Sequence, residues 1–174
     1  WYRKAAQAGD TAAAYHLARE LLLGESCQKD QSQAVEWLTK SAQGGNRLGM
    51  YQLALCLREG IGTIQNREEA LKWFQKSADQ DCPEALYEMA QYYEAGQEVP
   101  QDLKKASNLY FQAAEGGCVA AQLKMGSLCE QGKDGRPDYG KAVYWYRRAI
   151  GRGDDGEAQF RLGKLYEQGL GVER

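Results

Sequence analysis

Apolar and small residues return along this chain on a helical spacing. Ala13, Leu17, Ala18 and Leu21 occupy i, i+4, i+5 and i+8, the stripe of a helix with one buried face. Gly24 follows, a residue that can take the left-handed conformation closing a helix. Asp30 then supplies an N-cap type, and Ala34, Trp37 and Ser41 share a face of a second helix that Gly44 and Gly45 stop. The pattern predicts two helices joined by a short loop. One such pair cannot cover its own apolar faces, so it needs neighbours of the same kind.

The neighbours are written in the sequence. Trp1, Trp37 and Trp73 stand 36 residues apart, and two further steps of 36 reach Leu109 and Trp145. Lys4-Ala5-Ala6 recurs as Lys40-Ser41-Ala42, Lys76-Ser77-Ala78, Gln112-Ala113-Ala114 and Arg148-Ala149-Ile150. The buried pair recurs as Leu17-Ala18, Leu53-Ala54, Met89-Ala90, Met125-Gly126 and Leu162-Gly163; the last step is 37, with one extra residue in Asp154-Asp155-Gly156. Loop glycines recur at Gly24, Gly60, Gly96, Gly132 and Gly169, and cap residues at Asp30, Asn66, Asp102 and Asp138. A fixed period of this length marks a helical repeat array. The expected organisation is one repeat domain over 1–174: a partial repeat at 1–10, full repeats at 11–46, 47–82, 83–118 and 119–155, and a partial repeat at 156–174. Both ends fall inside a unit, so the expectation is a fragment of a longer array of about nine helical segments. Small residues beside each buried leucine or methionine let helix backbones approach, and the tryptophans are expected to fill the gaps between units.

Two stretches carry a family resemblance: Ala158-Gln159-Phe160-Arg161-Leu162-Gly163-Lys164-Leu165-Tyr166-Glu167-Gln168-Gly169-Leu170-Gly171-Val172, and Lys141-Ala142-Val143-Tyr144-Trp145-Tyr146-Arg147-Arg148-Ala149. Together they resemble the Sel1-like repeat, and the likeness covers nearly the whole chain. It departs at Leu109 for tryptophan, at Asp81 for glycine, and in the loops at Glu25-Ser26-Cys27 and Thr63-Ile64, which lack a Gly-Val pair. The resemblance implies an all-α, right-handed superhelical solenoid of the tetratricopeptide type, with first helices lining a concave surface. It implies an assembly platform for other proteins, in settings from membrane-associated quality control to signalling and host contact.

Composition narrows the partner. The chain carries 22 basic and 24 acidic residues, a net charge of -2, which builds no field for nucleic acid or an anionic membrane. No apolar run is long enough to insert in a bilayer. Five cysteines (Cys27, Cys56, Cys82, Cys118, Cys129) form no Cys-x-x-Cys pair and, with one histidine, make a poor metal set. The cysteine-rich branch of the resembled family staples each repeat with a regular cysteine pair, and no such pairing recurs. Reduced thiols are expected, which leans towards a reducing compartment such as the cytoplasm. His16 lacks a partnering nucleophile and reads as a surface histidine. Ser26-x-x-Lys29 lacks the companion motifs of penicillin-recognising enzymes, and the glycine pairs follow no strand and read as helix stops. No catalytic residue, metal or cofactor is expected.

The candidate site is a stripe on the first helices. Two positions before each core leucine or methionine stand Tyr15, Tyr51, Tyr87, Leu123 and Phe160. Two positions after come Arg19, Leu55, Gln91, Ser127 and Lys164, and three further on Leu22, Arg58, Glu94, Glu130 and Glu167. Offsets of four and three share a helix face. Such a stripe would form a groove with an aromatic row and variable polar neighbours, binding a peptide or partner protein; the acidic third row suggests a partner with basic character at one end. The aromatics could instead pad the contacts between repeats. A self-associating architectural module without a separate ligand is the alternative function.

Overall fold

The structure, a computed structural model, describes residues 1–24, 28–132, 135–151 and 156–171. Those residues form ten α-helices and no strand: α1 (Tyr2–Gln7), α2 (Thr11–Leu23), α3 (Gln31–Gln43), α4 (Arg47–Glu59), α5 (Arg67–Ala78), α6 (Pro83–Ala95), α7 (Leu103–Gly116), α8 (Val119–Gln131), α9 (Tyr139–Ile150) and α10 (Gly156–Glu167). That is one more than the pattern predicts, because each partial repeat holds a helix of its own. Ser26, Cys27, Gly153, the Asp154-Asp155 insertion and Val172 lie outside the described residues.

Local chemistry sets the helix boundaries. Asp30, Asn66, Asp102 and Asp138 cap α3, α5, α7 and α9, each side-chain oxygen accepting from the backbone N–H three residues on, at 2.9, 3.0, 2.9 and 3.0 Å. Each such cap contributes about 1 kcal/mol. A second set heads the first helices. Asp10 accepts from Ala12 and Ala13, both at 2.9 Å, and Asn46 accepts from Gly49 at 2.9 Å. Cys118 holds the same register position before α8, and Cys82 before α6. Gly24 and Gly60 close α2 and α4 in the left-handed region, at φ +75° and +73°. Asp81 stands where Gly9, Gly45 and Gly117 stand in other repeats, and it too has positive φ, +53°. An L side chain there costs about 1–2 kcal/mol.

The chain divides into two compact units, Trp1–Met89 and Ala90–Arg174. In the first, α2 packs on α1, α3 and α4, and α4 packs on α3 and α5. The core there includes Leu17, Leu21, Leu38, Met50, Leu53 and Cys56. Two fully buried serines on second helices tie to the backbone of the preceding first helix: Ser41 Oγ donates to the Thr11 carbonyl and Ser77 Oγ to the Arg47 carbonyl, each at 2.7 Å. In the second unit α8 packs on α7 and α9, and α9 on α10. Its last core is built on Ala142, Val143, Tyr146 and Leu165, with Leu123 and Leu162 against it.

The tryptophans fill the gaps only in part: Trp145 is buried and meets Phe111 of the preceding repeat, while Trp37 and Trp73 pack against the core without being enclosed. Trp37 and Trp73 are half-buried, each with a lysine ammonium (Lys40, Lys76) 4.1 Å from its ring centre, and Trp1 is exposed; only Trp145 is buried. The innermost large side chains are one residue further on, at Leu38, Phe74, Tyr110 and Tyr146, all 2% exposed or less. The physical reason is the helix period: the buried face of each second helix is centred on this position and on Ala34, Ala70, Ala106 and Ala142 four residues earlier. The tryptophan column flanks that centre.

Candidate functional site

The first-helix stripe is partly a surface and partly a seam. In its aromatic row, Tyr15, Tyr51, Tyr87 and Leu123 are half-buried, and Phe160 is 68% exposed. Tyr15 meets the His16 ring edge-on at 5.2 Å, with the Arg19 guanidinium 5.9 Å from its centre, while Tyr51 lies 5.9 Å from Phe74. His16 is itself half-buried, stacked on Tyr2 at 5.1 Å, so it is not a plain surface histidine. In the second row Arg19, Gln91 and Lys164 are exposed and Leu55 and Ser127 half-buried.

The third row is used in a different way. Arg58 Nη1 donates to Glu88 Oε2 on α6 at 2.6 Å, with the Arg58 guanidinium 5.3 Å from the centre of the Phe74 ring. Glu94 is held by Lys124 Nζ at 2.9 Å and by the Tyr110 hydroxyl, which donates at 2.7 Å. Glu130 is held by Arg161 Nη1 at 3.3 Å and by the Tyr146 hydroxyl at 2.8 Å. These three clasps occupy the same columns of the repeat: a first-helix residue, the buried aromatic of the second helix, and the residue just before the core methionine or leucine of the next first helix. The acidic gradient expected along the stripe is therefore corrected: Glu94 and Glu130 are neutralised within the fold, and Glu167 is the exposed acid of the row. The sequence carried a signal for this. Opposite charges stand at 58 and 88, 94 and 124, and 130 and 161, but a whole helix intervenes in each pair, which escapes any single-helix reading.

The clasps shift the titration of their members. Burial alone would raise the Glu94 carboxyl; hydrogen bonds from Lys124 and Tyr110 outweigh it and hold the pKa below its ordinary 4.5. Burial, and then the Glu130 carboxylate that accepts its proton, push the Tyr146 phenol up.

Part of the stripe does open to solvent. Glu130, Phe160, Arg161 and Lys164 line a cavity of about 330 Å³ on the α8 and α10 side of the second unit. Three of these are candidate residues, and the cavity offers an exposed aromatic ring beside an exposed ammonium chain.

Other candidate chemistry is sparse. Among the described residues no group of three or more His, Cys, Asp or Glu is placed to hold a metal. Among the described residues Cys56, Cys82, Cys118 and Cys129 form no disulfide. Burial pushes the Cys56 thiol up to about 11 and raises Cys82 and Cys129 as well, which keeps them protonated and poor nucleophiles. No described helix is long and apolar enough to cross a membrane.

The Sel1 repeat is matched over residues 1–10, 11–46, 47–82, 83–118, 119–154 and 156–174. A Sel1 repeat protein from Oxalobacter formigenes is 29% identical with a TM-score of 0.83, over 95% of this chain and 67% of that one. The protective antigen c5321, present in uropathogenic Escherichia coli strains and displaying an SLR fold, is also 29% identical, with a TM-score of 0.80; the match covers 99% of this chain and 37% of the antigen. The immunity protein PA5088 from Pseudomonas aeruginosa shares the fold at 23% identity and a TM-score of 0.55, over 96% of this chain and 58% of its own. No curated protein matches the sequence.

Proposed function

The chain belongs to the Sel1 repeat family, and from that premise we propose that it is a protein-binding scaffold that takes a peptide or partner protein along its first helices. The fold is the all-α, tetratricopeptide-like solenoid of that family, whose repeats generally serve as protein–protein interaction scaffolds and are typically non-catalytic. One observation carries the finer reading: Phe160, Lys164 and Glu130, three residues of the stripe, meet around the open cavity of the second unit. An exposed aromatic beside a long cationic chain offers a partner apolar area and a charge contact at small cost in side-chain ordering. Arg19 and Gln91, exposed at the second-row positions of α2 and α6, vary from repeat to repeat while the core columns hold. A fixed scaffold with variable exposed positions is what selective recognition requires. The half-buried tyrosines contribute their edges and also pad the packing.

The test compares capture from a lysate of the source organism by the parent chain and by a Phe160→Ala/Lys164→Ala variant. Both positions are exposed, so helicity by circular dichroism stays unchanged. A protein retained by the parent and lost by the folded variant supports the reading. Identical capture by both places recognition on another face. Light scattering across a concentration series separates a hetero-partner from association with a second copy.

A further inference from the structure

The second helices of the second unit carry a surface that the first unit does not. Phe111 on α7 and Tyr144 on α9 are 50% and 48% exposed. They flank the buried Trp145, whose ring meets Phe111 edge-on at 6.0 Å and Tyr144 at 5.1 Å. The corresponding positions of the first unit are polar: Thr39 and Gln75 for Phe111, Glu36 and Lys72 for Tyr144. Exposed aromatics on a shared indole floor are costly to leave bare and make a contiguous apolar patch.

Charge beside the patch says what would cover it. A cavity of about 380 Å³ is lined by Gly140, Val143, Tyr144, Arg147, Arg148 and Gly171. Among the described residues it has two guanidinium groups, an apolar wall and no carboxylate. Arg148 already pairs with Glu115 Oε1 at 2.7 Å and donates to the Tyr144 hydroxyl at 2.9 Å. Arg147 is exposed, donates to the Tyr166 hydroxyl through Nε at 2.8 Å, and has no carboxylate partner among the described residues. A guanidinium whose Nη atoms lack an acid, set beside aromatic surface, matches a carboxylate adjoining an apolar side chain.

We propose that this second-helix face, centred on Arg147, Tyr144 and Phe111, binds an acidic peptide segment in which a glutamate or aspartate adjoins an aromatic or aliphatic residue. The carboxylate pairs with Arg147 in the cavity, and the apolar neighbour lies on the Phe111–Tyr144 patch. The surface is separate from the first-helix stripe and independent of it.

Fluorescence anisotropy tests this with the 174-residue chain and two labelled peptides, one alternating glutamate with phenylalanine and leucine, the other with lysine replacing glutamate. The acidic peptide binds saturably and the basic one does not. Arg147→Glu weakens binding about tenfold or more, Arg147→Lys keeps most of it, and Phe111→Ser weakens it about threefold. Lys4→Glu, at an exposed position on α1 of the first unit, leaves it unchanged. Circular dichroism verifies that each variant is folded. Absent saturable binding by the parent, equal binding of the basic peptide, or full binding by a folded Arg147→Glu variant overturns the proposal.

Discussion

In the first unit Arg58 on α4 reaches Glu88 on α6 over the ring of Phe74. In the second unit the same columns hold Glu94, Lys124 and Tyr110, and again Glu130, Arg161 and Tyr146. The polarity is reversed, and the aromatic changes with it. Where the first-helix residue is an acid, the buried aromatic is a tyrosine whose hydroxyl donates to it. Where that residue is arginine, which has no acceptor, the aromatic is phenylalanine and presents its ring face to the cation. The comparison teaches that the three positions act as one set. A clasp is chosen as a whole, and mixing members of the two kinds leaves a hydroxyl without an acceptor or two like charges facing one another.

The largest expected effect breaks the second kind of clasp from below. A Cβ on Gly126 would fall 2.3 Å from Cε1 of the Tyr146 ring, which is fully buried and has nowhere to move. Gly126→Ala should destabilise the chain by about 3 kcal/mol, at the upper end for overpacking, read from the urea midpoint. A loss near zero would mean the ring is not held where Glu130 needs it.

A smaller effect exchanges the aromatics. Tyr146→Phe removes the donor to Glu130 and should cost about 1 kcal/mol. Phe74→Tyr should also cost about 1 kcal/mol, because the added hydroxyl meets Arg58, another donor, at a buried position. If Phe74→Tyr is stabilising, the aromatic is not matched to the charge.

The smallest effect is a pH dependence. The Glu94 carboxyl is depressed in the folded chain, so it contributes stability above its ordinary pKa of 4.5 and loses that contribution as pH falls through the folded value. The melting temperature of the parent minus that of Glu94→Gln should therefore shrink between about pH 6 and about pH 3. Because Glu94 and Lys124 are both partly exposed, salt should reduce the difference. A difference that is flat across this range would remove Glu94 from the set.

Much of the fold was legible because it is written locally. Asp30, Asn66, Asp102 and Asp138 cap where their residue type says they should, and Gly24 and Gly60 close their helices by adopting positive φ. Leu17-Ala18, Leu53-Ala54 and Met89-Ala90 mark the buried faces of α2, α4 and α6, and all six residues are buried, whereas Met125 on α8 and Leu162 on α10 are half-buried and Gly163 is exposed. The second helices were less legible. Tryptophan dominates the eye at positions 37, 73 and 145, yet a long aromatic can lie across the edge of a face while the centre belongs to the residue beside it. The site was the least legible. Arg58, Glu94 and Glu130 look like free surface charges within their own helices, since the partner of each is about thirty residues away on the next first helix. Pairing between helices is a tertiary fact, visible in sequence only when two columns are compared for opposite sign.

A charge-exchange cycle across the first clasp shows whether its three positions act together. Stability would be measured by urea unfolding for the parent, Arg58→Glu, Glu88→Lys and the double variant. Each single change should cost about 1–2 kcal/mol by setting like charges together, and the double variant should recover most of it, a coupling of about 1 kcal/mol or more. Phe74→Tyr, costly in the parent, should become favourable in the double variant, where an acid now stands ready to accept. Additive losses with no coupling, and the same cost for Phe74→Tyr in both backgrounds, would contradict the claim that the three positions form one clasp.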